Sequence, residues 1–192
     1  MKNTFQSILR SLVGTLAFFL LGSGASFAAT PPQHAALFGV RIAGGTVAQV
    51  KAAILRTGMT PTGHSSRFCS LYNVNGLLQG ATTLKLCGDL EGQVAFISYL
   101  MPSKMDSGQV KRVIDMVARK YGPPLKTKGS VDVGPVTAIW RMPDGSGIMV
   151  ARRNWPDTTT NIYLFCNKMM KKAMAEKSKM QPAGGGQQSN AY

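Results

Sequence analysis

Two helical stripes, each followed by a run of strand signals, set the architecture this chain can adopt. Thr46 can cap a helix in which Val47, Val50, Ile54 and Leu55 share a face, and Gly58 sits just past its end. Asp106 or Ser107 can cap a second, in which Val110, Val113, Ile114, Val117 and Tyr121 make a 3.6-residue stripe. Lys111, Arg112, Arg119 and Lys120 take its other face, and Gly122-Pro123-Pro124 stops it. Neither helix can bury its stripe alone, so each needs a partner layer.

The strands supply that layer. Residues 29–36 read as a loose lead-in and Leu37–Ile42 as a short extended run. Arg67–Val74, Ala81–Cys87 and Gln93–Met101 follow the first helix; the last is apolar on both faces and is expected to be central. Val136–Met142, Ile148–Arg153 and Thr158–Cys166 follow the second, with Pro143–Gly147 as a turn. The order predicts an α+β domain, an antiparallel sheet with two helices on one face. Gln49-Val50-Lys51 and Gln109-Val110-Lys111 recur about 60 residues apart. That spacing suggests two diverged helix-plus-strands halves, 37–101 and 102–167.

The ends have a different composition. Lys2 and Arg10, the apolar run Leu12–Leu21 and the small-x-small site Ser26-Phe27-Ala28 have the layout of a secretory signal peptide, residues 1–28. The run is too short to span a bilayer comfortably. No Cys lies near the cleavage region to receive a lipid. A periplasmic or secreted location is expected, where no ATP-driven or nicotinamide chemistry is anticipated. After Asn167, residues 168–177 can form a short basic amphipathic helix with Met169, Met170, Ala173 and Met174 on its apolar side. Gln181–Tyr192 is low-complexity. Residues 168–192 together read as a flexible tail whose removal should leave the fold intact.

An exported compartment permits disulfides. Cys69 and Cys87 are equidistant from Leu78, inside a Gly-bounded stretch, Asn75–Gly80, that reads as a hairpin loop. Flanking strands would set the two opposite each other, and a bridge there is worth about 3 kcal/mol in loop-closure entropy. Cys166, in a strand-like run, is expected as a buried free thiol. The chain carries 22 Lys and Arg against 8 Asp and Glu, a net charge of +14, of which Lys2 and Arg10 account for two. Such an excess points to an anionic partner: lipid headgroups, lipopolysaccharide, nucleic acid or an acidic protein.

Gly44-Gly45-Thr46-x-x-Gln49-Val50 resembles the Gly-Met-Thr-x-x-Gln-Val opening of the SmpA/BamE-like envelope domains. Lys120-Tyr121-Gly122-Pro123-Pro124, with Trp140 on a following strand, resembles the same unit's helix end and sheet. A tandem of such units, spanning about residues 37–166, is similar to the β-lactamase-inhibitor-protein-like fold, with helices on one face of an antiparallel sheet. The chain departs from the pattern in having Gly for Met and no lipid-attachment Cys. The resemblance implies a binding module that inhibits enzymes, scaffolds complexes or docks on envelope proteins.

Catalytic chemistry finds little footing. Of two histidines, His34 sits in the lead-in and His64 in the loop Pro61–Ser66. A Cys69–His64 pair has no established spacing and loses its nucleophile if Cys69 is bridged. Cys-x-x-Cys, His-x-x-x-His and the phosphate-loop pattern are absent. Asp132, Asp144 and Asp157 sit where turns favour Asp for backbone reasons. No cofactor or metal is expected.

The candidate contact residues are basic and aromatic. Arg152, Arg153 and Trp155 have the composition of an interface hot spot. Trp155 lies in a strand-connecting loop, and only one of the two arginines can join it, because neighbours on a strand face opposite ways. Trp140 alternates with Val136 and Ala138 and is expected in the core. Lys168, Met169, Lys171 and Lys172 suit a membrane surface or an acidic groove. The sequence thus reads as an exported, non-catalytic protein–protein interaction module, an accessory or inhibitor-like subunit. A polyanion or membrane-surface binder is the alternative, and a thiol-dependent secreted enzyme a distant third.

Overall fold

The computed structural model describes residues 32–103, 106–153 and 158–180. The expected signal segment, the stretch 181–192 and Trp155 lie outside the described residues.

A small hairpin, β1 (Ala36–Leu37) and β2 (Val40–Arg41), leads into α1 (Val47–Arg56). Thr46 caps α1 as its position predicts: its hydroxyl accepts the Gln49 amide, and the Gln49 side chain accepts the Thr46 amide. This reciprocal box satisfies two donors that the first turn otherwise leaves unpaired. Four strands follow: β3 (Thr60–Ser65), β4 (Cys69–Asn73), β5 (Thr83–Gly88) and β6 (Val94–Met101). The second half repeats that order with α2 (Gln109–Tyr121), β7 (Lys126–Gly129), β8 (Val136–Arg141), β9 (Ser146–Arg152) and β10 (Thr160–Cys166). A third helix, α3 (Asn167–Met180), ends the described chain.

The eight longer strands form one antiparallel sheet in the order β3-β4-β5-β6-β10-β9-β8-β7. Each half is a helix followed by a four-stranded meander, and the two meanders meet through their last strands, β6 against β10. The α+β architecture with α1 and α2 on one face is therefore as the pattern predicted, and β6 is central. Val50 and Val110, the middle residues of the recurring Gln-Val-Lys, are both fully buried. The glutamines have diverged: Gln49 caps α1, whereas Gln109 donates to the Pro102 carbonyl and α2 has no side-chain cap.

The core lies between these two helices and one sheet face. Val50 and Ile54 of α1 and Val110, Val113, Ile114 and Val117 of α2 pack on Leu84, Leu86, Ile97, Tyr99, Ile148, Val150, Ile162 and Leu164. Each such side chain contributes about 1.5–3 kcal/mol when fully buried. Leu55, placed on the apolar stripe by its spacing, is 43% exposed at the stripe's edge. Trp140 is in the core as expected, its indole N–H donating to the Gly122 carbonyl at 2.8 Å. α1 approaches β5 so closely at Gly88 that an added Cβ would collide with the Val47 side chain.

Two strands of the eight-stranded sheet go beyond the sequence pattern, and the run Leu37–Ile42 folds back as the hairpin β1–β2. β3 and β7 are the outer strands of the sheet, and nearly every residue in them is exposed. An edge strand with no buried face has no apolar alternation to read. Its Pro61, Lys126 and Lys128 are the residues that keep such edges from pairing with other chains.

The boundary expected at residue 168 does not end the packed structure. α3 runs on to Met180 and lies across β10, β6 and β5 on the sheet face opposite α1 and α2. Phe165 and Cys87, on that second face, are buried. No α3 residue is itself buried, and Met174, expected on its apolar side, is 66% exposed.

Candidate interaction surface

Cys69 pairs directly with Cys87 in the β4–β5 register, and the two form a disulfide. The hairpin geometry inferred from their symmetric spacing is the one observed. Cys166 is a buried free thiol.

The predicted basic contacts separate. Arg152 is not a surface residue: it is 6% exposed and points into the sheet face covered by α2. Its guanidinium donates to the carbonyls of Gly134, Ser107, Val131 and Ser130 at 2.9–3.1 Å. Five fixed donors suit it to gather a loop's unpaired acceptors, so it is a strut for segment 130–134. Arg153, on the next position, is exposed. Trp155 cannot be placed beside either, because it falls outside the described residues.

On α3, Lys168 and Lys171 are exposed and Met169 packs part-buried against the core. Lys172 is already ion-paired within the chain. Its ammonium lies 2.9 Å from Asp89 and 2.7 Å from Glu91 in the β5–β6 turn. Glu176, one turn on, accepts the Leu90 amide at 2.8 Å. Burial alone pushes the Asp89 carboxyl up, but the Lys172 ammonium and the Gln93 and Glu91 amides together hold it below the usual carboxylate range. Hydrogen bonds to Glu91 and Asp89 push the Lys172 ammonium up.

A similar network anchors the lead-in. Asp144, read as a turn residue, accepts the amide and hydroxyl of Ser146, and Ser146 in turn accepts the Ala35 amide. Burial raises the Asp144 carboxyl; its two bonds from Ser146, with Arg41 at 3.6 Å, outweigh this and lower it.

The second sheet face is the surface sequence reasoning missed. Cross-strand register sets Lys126, Ile139, Met149, Tyr163, Ser98, Lys85 and Leu71 in one row from edge to edge. The next row holds Lys128, Thr137, Ala151, Asn161, Leu100, Thr83 and Asn73. Ile139, Met149, Ala151 and Tyr163 are half-buried and Leu100 is exposed, so neither row is closed over. α3 crosses the third row, where Phe165, Phe96, Cys87 and Cys69 lie. Arg141 ends that row over the Phe165 ring, 5.9 Å from its centroid. No Asp or Glu occupies any paired position of this face. Apolar strand residues such as these read as core by residue type alone. The signal that could have separated them is the even spacing of Asn161, Tyr163 and Phe165 opposite Thr160, Ile162 and Leu164.

A groove of about 520 Å³ opens where this face meets the β3–β4 turn and the last turn of α3. Arg67, Phe68, Cys69, Leu71, Lys85, Lys177 and Met180 line it, with His64 at its rim. Among the described residues no cluster of His, Cys, Asp or Glu could hold a metal ion. No helix among them is long and apolar enough to cross a membrane.

No family model matches this sequence, and no curated protein matches it. Among solved structures, a DUF4309 family protein (YjgB) from Bacillus subtilis subsp. subtilis str. 168 is similar to this chain at 14% sequence identity, with a TM-score of 0.42, covering 70% of this chain and 88% of that one.

Proposed function

We propose that this chain is an exported, non-catalytic module that binds another envelope or secreted protein as an accessory or inhibitor-like subunit. The open sheet face is the surface it uses. One observation carries the reading: Ile139, Met149, Tyr163 and Leu100 stand uncovered in register, bordered by Lys126, Lys128, Lys85 and Arg141 and free of acids. Apolar side chains fixed on a rigid sheet with a charged border have the anatomy of a protein interface. The Cys69–Cys87 disulfide suits the oxidising compartment that the signal-like leader implies, periplasmic or extracellular. It also removes the nucleophile that a thiol-dependent enzyme would need beside His64. The tandem helix-plus-meander order supports the SmpA/BamE-like and inhibitor-protein-like resemblance as the structural basis of that role.

A second reading, a polyanion or membrane-surface binder, draws on the same absence of acids and on the exposed Lys168 and Lys171. Affinity capture from a detergent-solubilised envelope extract separates the two, using the protein and its Tyr163→Glu variant. A discrete protein retained at high salt and lost from the variant is expected. Capture of only lipid, lipopolysaccharide or nucleic acid, released by salt, would overturn it in favour of the second reading.

A further inference from the structure

We propose that the groove between the β3–β4 turn and the last turn of α3 is a binding site for an acidic peptide segment of the partner, with carboxylates flanking an apolar side chain. This rests on the reading of the second sheet face as an interaction surface and locates its charged anchor.

Three cations converge on the groove from three separate elements. Arg67 comes from the β3–β4 turn, Lys85 from β5 and Lys177 from α3. No Asp or Glu lines the groove, and none of the three is ion-paired among the described residues. The nearest acid on α3, Glu176, is engaged elsewhere, on the Leu90 amide. Like charges held together on a rigid frame repel, and a bound anion relieves that repulsion. Two further grooves bring together fewer unpaired cations. The one beside α2 carries its own acids, with Asp106 on Arg112 and Asp115 on Lys111. In the one beside α1, Arg41 already faces Asp144.

The walls select the rest of the ligand. Phe68, Leu71, Met180 and Cys69 add apolar lining to the same groove. A volume of about 520 Å³ suits a few side chains and not a folded domain. A recessed groove is poorly shaped for a flat bilayer, and it lacks the exposed stacked aromatics that single-stranded nucleic acid requires. The end of β3 reaches the groove through His64 and Ser65, whose polar groups can bond the backbone of a bound peptide.

Fluorescence anisotropy tests this on the full chain. The probe is a labelled decapeptide alternating Glu with Leu; the controls are the same peptide with Gln for Glu, phosphatidylglycerol vesicles and a thymidine oligonucleotide. Binding of the acidic peptide is expected, weakened about tenfold or more by Lys85→Glu with Lys177→Glu. Both lysines are exposed, so circular dichroism should confirm an unchanged fold. A Glu-for-Lys swap should also confer binding on a Lys/Leu peptide. Equal binding of the Gln peptide, or no loss in the double variant, would overturn the assignment. So would vesicles or oligonucleotide binding more tightly through the same lysines. If the double variant still captures a protein that Tyr163→Glu loses, the groove fails as the anchor while the interaction-module reading stands.

Discussion

Lys172 Nζ lies 2.9 Å from Asp89 Oδ2, and this contact ties α3 to the turn between β5 and β6. Asp89 also accepts the amides of Glu91 and Gln93, so one carboxylate holds both the turn and the helix. The Asp89 pKa is lowered in the folded state. Its contribution is therefore present above the unfolded value of about 3.9 and is lost as pH falls from there through the folded value. The Lys172 pKa is raised, so its share is complete below about 10.4 and is lost as pH climbs through the folded value. Denaturation midpoints of the protein and of Asp89→Asn should differ by a constant amount from about pH 5 to 9. The gap should close below about pH 4. A gap unchanged into strong acid would show that the carboxylate is not what holds the turn.

The disulfide makes a second prediction. Replacing Cys69 and Cys87 together by Ser opens an 18-residue loop in the unfolded chain and should cost about 3 kcal/mol in denaturant unfolding. The edge of the sheet beyond β5 should feel it first, because β3 is the outermost strand and pairs with β4 alone in the sheet. Hydrogen exchange of β3 and β4 amides in the double variant should rise well before that of β6 and β10. Uniform exchange across the sheet would contradict this ordering.

The parts of this fold that were legible in the sequence are those that bury a periodic face. Val110, Val113, Ile114 and Val117 announced α2, and the doubly apolar run through Ile97 and Tyr99 announced β6 as central. The Cys69–Cys87 pairing was legible because a hairpin converts equal spacing into direct opposition. What escaped has no local signature. β3 and β7 bury neither face, so no alternation marks them. Arg152 reads as a surface cation by residue type, yet four carbonyls from segments 18 to 45 residues away in sequence satisfy it inside. α3 looks like a basic tail in the sequence because its docking runs through Lys172 and Glu176, polar residues that look solvated in one dimension. The open sheet face was hidden because Ile139, Met149 and Tyr163 are the residues a core would use, and only the tertiary structure shows them half-buried, with no layer closed over them among the described residues.

Arg152 should accordingly behave as a structural residue. Arg152→Ala removes the donors to four carbonyls and should destabilise by on the order of 3 kcal/mol. Arg152→Lys keeps the charge but not the planar fork and should recover only part of that loss. Chemical denaturation measures both. The 130–134 segment and the start of α2 near Ser107 should become protease-sensitive together, because the same guanidinium holds them. A neutral Arg152→Ala would return this residue to the surface role its sequence suggested.

The outer strand β7 permits a test of what its lysines do. Lys126 and Lys128 lie on the same face as Ile139 and Thr137, at the end of the open sheet, and both are exposed. Neither makes an ion pair among the described residues, so neither is needed to hold β7 on β8. Charge on an exposed edge instead makes pairing with a second chain costly, since two such edges would bring four ammonium groups together. Replacing both with Val should leave the melting temperature within a few degrees, or raise it slightly, because Val favours strand geometry. The variant should nonetheless self-associate. Its apolar row would then run unbroken from β7 through Ile139 and Met149 to Tyr163 and present a flat pairing edge. Light scattering across a concentration series should show dimers or larger species in the double variant at concentrations where the parent is unchanged. High salt, which screens the parent's lysines, should move the parent part of the way toward the same behaviour.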